Sequence, residues 1–218
     1  MKQIQNRRSL LAGLAAAAAA VTAAARPARA QSAASGFSPA RHEADRWLDQ
    51  LRGTHRVFVD SAGRAGGADA VLYAGNLFTV NQTAYGIAPA DLAIIVCFRH
   101  ISTPYGYNDA MWKKYSPQLS QFLELPQPAT ANPLNLGGAG GGPGRSLGAL
   151  IEQGLSVAIC ANATRFVAGQ IARATGGTTD AVVAELTANP VRNGRFVPAG
   201  VIAATRAQEY GYSLLSCG

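Results

Sequence analysis

Leu92 to Phe98 is a run of seven apolar residues, Leu-Ala-Ile-Ile-Val-Cys-Phe, with no polar position among them. A strand with one wetted face alternates apolar and polar; a strand covered on both faces does not. The run therefore predicts a central strand buried between two layers of helices. Other largely apolar runs stand at intervals along the chain: Arg56 to Asp60, Ser156 to Cys160, Phe196 to Ala203 with its core near 197–203, and Tyr212 to Leu215. Between them the apolar period lengthens. Ala70, Ala74, Leu77 and Phe78 recur at helical spacing within a helix expected from about Ala68 to Thr83, as do Val167, Ile171 and Ala174 after Cys160. Helices are also expected over Ser146 to Gln153, ended by Gly154, and from Asp180 to about Ala188. A turn of helix is expected from Thr205 to Tyr210. Strands alternating with helices predict an α/β fold, a three-layer α/β/α domain with a five-stranded parallel sheet.

Upstream, Ser38 and Pro39 read as the N-cap and first residue of a helix running to about Arg52 and stopped by Gly53. Residues 31–53 are thus a linker and an N-terminal helix, and 54–218 the α/β domain. The stretch from Arg99 to Gly144 breaks the alternation. Trp112 to Tyr115 suggest a short helix. Pro126, Pro128, Pro133 and the tract Gly137 to Gly144 predict exposed loop, an insertion at about 105–145. Gly140 to Ser146 imitates a phosphate-binding loop. Ala139 stands where its first Gly belongs, Arg145 where its Lys belongs, and no strand precedes it, so the tract reads as a connector.

Residues 1–30 read as a cleaved export signal. Arg7-Arg8 are followed by an Ala-rich stretch from Leu10 to Ala25 and by Ala28-Arg29-Ala30. The arginine pair, the weakly apolar stretch and the basic residues Arg26 and Arg29 match a twin-arginine signal, with cleavage after Ala30 and a periplasmic destination. About sixteen apolar residues fall short of the roughly 20 that span a bilayer, so no stable membrane insertion is expected after cleavage. The formal charge of +7 is concentrated in this segment. It holds five of the 19 basic residues and no acid, leaving 14 against 12, or about +2. That balance removes the electrostatic case for a nucleic-acid partner.

Three cysteines, Cys97, Cys160 and Cys217, contain no C-x-x-C pair; His42, His55 and His100 are scattered, with no H-E-x-x-H. Neither a zinc ribbon nor a thioredoxin-type pair is indicated, and no metal or cofactor motif is visible, so no cofactor is expected. Cys160 is the sharpest candidate for chemistry. It ends a predicted strand just before a helix, on the rim where open α/β sheets bind ligands. A helix N-terminus there favours a thiolate. Asn162, Thr164 and Arg165 follow and can donate hydrogen bonds. The competing reading is a small apolar residue closing a strand. Arg99 and His100 follow the second strand and fall on the same rim, His100 as a weaker candidate base. Asp60 and Ser61 close the first strand there, as ligand-binding candidates or as a cap for the next element. Cys97, inside the apolar run, reads as core. Cys217 could pair with another cysteine.

These segments resemble the DsrE/DsrF-like family of sulfur-relay proteins, and more narrowly an exported branch of it. The resemblance rests on His55 to Asp60, Leu92 to His100, Leu150 to Cys160 with its helix, Gly turn and cysteine-bearing strand, and Val197 to Tyr212 with Gln208 and Gly211-Tyr212. It covers about residues 54 to 218. It implies a five-stranded parallel sheet, a homo-oligomer, a sulfur donor or acceptor protein as partner, and a persulfide carried on Cys160. The insertion and the export signal depart from the short cytoplasmic members.

Three functions compete. One is sulfurtransferase-like handling of sulfane sulfur on Cys160. A second is a periplasmic binding or assembly module that keeps the fold without chemistry, which a buried Cys160 would favour. A third is a redox disulfide, which needs Cys97 or Cys217 within about 7 Å of Cys160, Cα to Cα.

Overall fold

In the computed structural model, which describes residues 38–136 and 145–218, the apolar runs form one sheet. Its strands are β1 (His55–Ser61), β2 (Leu92–Phe98), β3 (Ser156–Cys160), β4 (Gly194–Val197) and β5 (Ser213–Cys217). All neighbours pair in parallel, in the order β4-β3-β2-β1-β5. β2 lies at the centre and is buried along its whole length, as its unbroken apolar run requires. The expected α/β/α architecture is therefore present. The export segment at 1–30, the linker at 31–37 and the glycine tract at 137–144 lie outside the described residues.

Helices cover both faces. On one face pack α2 (Gly66–Tyr85), α5 (Leu147–Glu152), α6 (Ala161–Thr175) and α7 (Thr179–Ala188), following β1, the insertion and β3. On the other pack α1 (Trp47–Gln50) and α8 (Gly200–Glu209), around Phe58, Ile95, Cys97 and Ala158. Local signals fix the helix ends. Gly86 ends α2 in the left-handed region at φ 67° and donates its N–H to Gln82, a conformation that favours glycine. Ser146 caps α5 through Ala149 N–H at 3.2 Å.

Three expectations change. The long helix from Ser38 to Arg52 is instead a 3₁₀ turn (Glu43–Asp45) and the four-residue α1. Only Trp47 and Leu48 of this stretch are buried, too little apolar surface to stabilise four turns. They still join the core, and Tyr212 Oη donates to the Leu48 carbonyl at 2.8 Å. The strand placed at 197–203 ends at Val197, and Gly200–Glu209 is helix. Pro198 has no N–H for further pairing. Ala203, Ala204 and Ala207 then recur at helical spacing on the buried side, while the β-branched Val201 and Ile202 that suggested a strand point to solvent.

The insertion is the third and changes only in part: Trp112 lies in a short helix and Pro126 and Pro128 in exposed loop, as expected, but most of the other described residues are packed structure. A 3₁₀ segment (His100–Gly106), α3 (Asp109–Lys114), α4 (Ser116–Phe122) and a 3₁₀ turn (Pro133–Asn135) follow one another. Tyr105, Tyr107, Trp112, Leu119 and Leu134 all enter the main core. Trp112 stacks on Tyr105 at 6.4 Å and donates to the Pro104 carbonyl. Fully buried Asn132 holds the loop together, donating to the Tyr105 and Tyr107 carbonyls at 2.7 and 3.0 Å. Among the described residues no helix is long and apolar enough to cross a membrane.

Candidate functional site

Parallel strands end on one edge, and the register aligns the candidates there. Asp60 pairs with Cys97 across β1 and β2, and Phe98 with Ile159 across β2 and β3. Arg99 is thus the neighbour of Cys160, one step beyond that second pair. Side chains alternate between faces. Asp60, Arg99 and Cys160 all fall on the face covered by α8, in the order β1, β2, β3.

The crossovers make Cys160 a special position. The helix after β3 leaves to one face of the sheet, and the helix after β4 leaves to the other. Adjacent strands whose connections diverge open a crevice at their carboxyl ends, the usual ligand position in open α/β sheets. Cys160 sits at this crevice between the N-termini of α6 and α8. The two connections touch where Asn162 N–H donates to the Pro198 carbonyl at 3.3 Å. Cys160 is the N-cap of the fifteen-residue α6, and its Sγ accepts the Ala163 N–H at 3.4 Å. That hydrogen bond satisfies one of the free N–H groups in the first turn of α6.

Arg99 is the cation of the site. Its Nε and Nη2 donate to the two Asp60 carboxylate oxygens at 2.7 and 2.8 Å. The hydrogen bond to Asp60 raises the Arg99 pKa, with burial opposing and the nearby Cys97 and Cys160 sulfurs adding to the rise. Its stem lies under the first turn of α8. A Cβ on Gly200 would come within 2.5 Å of the Arg99 Cβ, so only glycine lets the helix start there. Beside this pair, burial raises the Cys97 thiol well above its ordinary range, and the Asp60 charge adds to it. Cys97 is core, as its sequence context suggested.

The other candidates point elsewhere. Ser61 faces the opposite layer; its carbonyl accepts from Arg99 N–H at 3.0 Å and from Ser102 Oγ at 2.7 Å. Thr164 is also buried on that side and accepts from Tyr107 Oη at 3.0 Å. Asn162 is exposed at the mouth of the crevice. His100 is exposed with φ 53°, and among the described residues no hydrogen bond joins it to Cys160. The sequence reading missed Tyr107, Pro198 and Gly200. Pro198 and Gly200 both lie within the run 196–203 that the sequence suggested as a strand. Two clefts of about 510 and 570 Å³ lie away from this rim, one beside Lys114, Tyr115 and Glu185, the other beside Trp47 and Arg195. Neither holds a cysteine.

The chain matches no protein-family model, no curated protein and no solved structure. Among the described residues no three His, Cys, Asp or Glu side chains gather as a metal-binding group. The three cysteines are free. Cys97 is opposite Ala158, two residues short of Cys160. A strand spacing of about 4.8 Å and a rise of about 3.3 Å per residue separate their Cα atoms by about 8 Å. That exceeds the reach of a disulfide. Cys217 packs on the opposite face, beside β1. An intrachain Cys160 disulfide would require the sheet to move, which removes the basis for the redox-disulfide reading.

Proposed function

We propose that this is an exported DsrE/F-like protein that binds or relays sulfane sulfur on Cys160. The observation that carries the reading is the position of the sulfur. It lies at the crevice between two diverging helices, accepts a backbone N–H, and is neighboured by the Arg99 guanidinium. The step is a simple exchange. The Cys160 thiolate attacks the outer sulfur of a donor persulfide, a new S–S bond forms on Cys160, and the donor leaves as its own thiolate. Both anions, before and after, sit near Arg99 and the α6 N-terminus. The donor or acceptor is a second thiol-bearing protein or small molecule. Arg7-Arg8 and the Ala-rich stretch after them support export to the periplasm.

A second reading stands on one number. Cys160 is only 6% exposed, which favours a binding or assembly module that keeps the fold without chemistry. The two are separated by intact mass. Incubation with a polysulfide should add about 32 Da per sulfur in a reductant-sensitive form, lost in Cys160→Ser. Alkylation near neutral pH should be faster at Cys160 than at Cys97. Slow, equal labelling and no adduct would establish the module instead.

A further inference from the structure

The sheet face that carries α1 and α8 is thinly covered at one corner, because α1 is a single helical turn. The cleft of about 570 Å³ lies at that corner, where α1 meets the first residues of β3 and β4. Its size is that of a pocket for a small organic molecule. It opens on the amino edge of the strands, opposite the rim. Ser156 begins β3 and Cys160 ends it, about 13 Å further along at about 3.3 Å per residue.

The lining has one sign of charge. Among the described residues that form the cleft, Arg195 is the one charged side chain, and there is no Asp or Glu. Arg195 is exposed, and its guanidinium carbon stands 5.1 Å from the centroid of the Trp47 ring. Stacking fixes the plane of the guanidinium, while its N–H donors point outward within that plane. Trp47 is 6% exposed and belongs to the core, so the platform under the cation is rigid. Arg195 pairs with Ala158 in the sheet, which places it on the same face as Ser156, two residues earlier on β3. Half-buried Leu51 supplies an apolar wall, and Gln50 a polar one. Asn193 secures the floor. Its side-chain amide donates to the Ile151 and Leu155 carbonyls at 3.4 and 3.3 Å, and its own carbonyl accepts the Val157 N–H at 3.1 Å.

We infer that this cleft binds a small organic monocarboxylate with a flat, apolar body. A carboxylate matches two parallel N–H donors of a guanidinium, and a guanidinium already oriented by an aromatic ring loses little freedom on pairing. The flat body lies along the Arg195–Trp47 stack and Leu51. Gln50 and Ser156 offer polar groups beside it. A phosphate, with more charge and no apolar surface, would find a single cation and an apolar wall. The Cys160 rim takes no part, so this inference stands apart from the sulfur reading.

Benzoate is the probe, titrated into the isotope-labelled full chain and followed by the indole N–H resonances. The chain has two tryptophans, and Trp112, fully buried in the insertion, is the internal reference. The Trp47 signal should shift along a saturable curve while that of Trp112 stays, with a Kd of about 1–10 mM for so small a ligand. Benzamide, which has the shape without the charge, and inorganic phosphate should each bind at least about tenfold more weakly. Arg195→Gln should weaken benzoate by about the same factor at an unchanged urea midpoint, since the side chain is exposed. Cys160→Ser should bind benzoate as the wild type does. A Trp47 signal that does not saturate, or one that moves together with that of Trp112, overturns the inference. So does benzamide or phosphate binding as tightly as benzoate, or an Arg195→Gln variant of undiminished affinity. The benzamide and phosphate comparisons use the wild type, so they decide the matter even where a variant fails to fold.

Discussion

Replacing Asp60 with Asn tests the rim more directly than any change to the cysteine. The Asp60 side chain is 8% exposed and that of its partner Arg99 25%. Asp60→Asn keeps the shape, removes the charge, and leaves the guanidinium half-buried without its anion. Breaking a fully buried pair from one side costs about 3–5 kcal/mol. Arg99 keeps partial access to water, so a loss of about 2–3 kcal/mol is expected. At about 2–4 °C per kcal/mol for a chain of this size, Tm should fall by about 5–10 °C. Urea denaturation measures it as a lower midpoint at unchanged slope. Arg99→Met probes the other side. Without its cation the buried Asp60 carboxylate is left unpaired, so this variant too should lose stability, read as a lower urea midpoint. The double variant Asp60→Asn, Arg99→Met should be more stable than the sum of the single losses. A loss below about 0.5 kcal/mol in Asp60→Asn, or strict additivity, would falsify the claim that this pair organises the rim.

Gly200→Ala should destabilise by about 1–3 kcal/mol, because its Cβ meets the Arg99 Cβ at 2.5 Å and neither end is flexible; a neutral midpoint in urea would contradict this. Trp112→Ala should cost about 3–5 kcal/mol, since Trp112 is fully buried in the insertion; a loss near that of a surface site would mean the insertion is not part of the core. Burial pushes the Cys217 thiol up to about 11, with Asp69 and Asp60 adding to the rise. Its proton is held in the folded state and released in the unfolded one, so stability should fall between pH 9 and 11, and fall less steeply in Cys217→Ala; parallel curves for the two proteins would count against it. Replacing Arg7 and Arg8 with Lys should leave precursor in the cytoplasm on an immunoblot of fractions, and unimpaired export would exclude the twin-arginine route.

The sheet was legible because burial on two faces writes itself into sequence as an unbroken apolar run, and Leu92–Phe98 is such a run. Cys160 was legible for a related reason, since a strand end followed by a helix is a position on the rim. Faces were harder. Ser61 was grouped with Asp60, yet adjacent strand residues point to opposite layers, and of the two side chains only that of Asp60 reaches the Arg99 guanidinium. His100 was grouped with Arg99, and the same one-residue step takes it to solvent. In the insertion the loop at Pro126 and Pro128 was legible, whereas the burial of the segment before it depends on aromatic residues whose contacts come from distant elements. Tyr107 meets Thr164 across the core, a pairing that no local period announces. The α8 segment failed on propensity: Val201 and Ile202 favour strands in isolation, and the alanines beside them decided the packing.

The strand order has a consequence for how the molecule is made. β1 is among the first elements synthesised, but its outer neighbour β5 is the last: Val57 pairs with Ser213. Until residues 213–217 leave the ribosome, β1 carries an open edge and Phe58 lacks part of its cover. Closing a loop of about 150 residues is slow relative to local helix formation. The nascent chain therefore spends its synthesis with an exposed, aggregation-prone strand. The sheet is complete only once β5 has emerged, so a chaperone that shields β1 until then would raise the yield of folded protein.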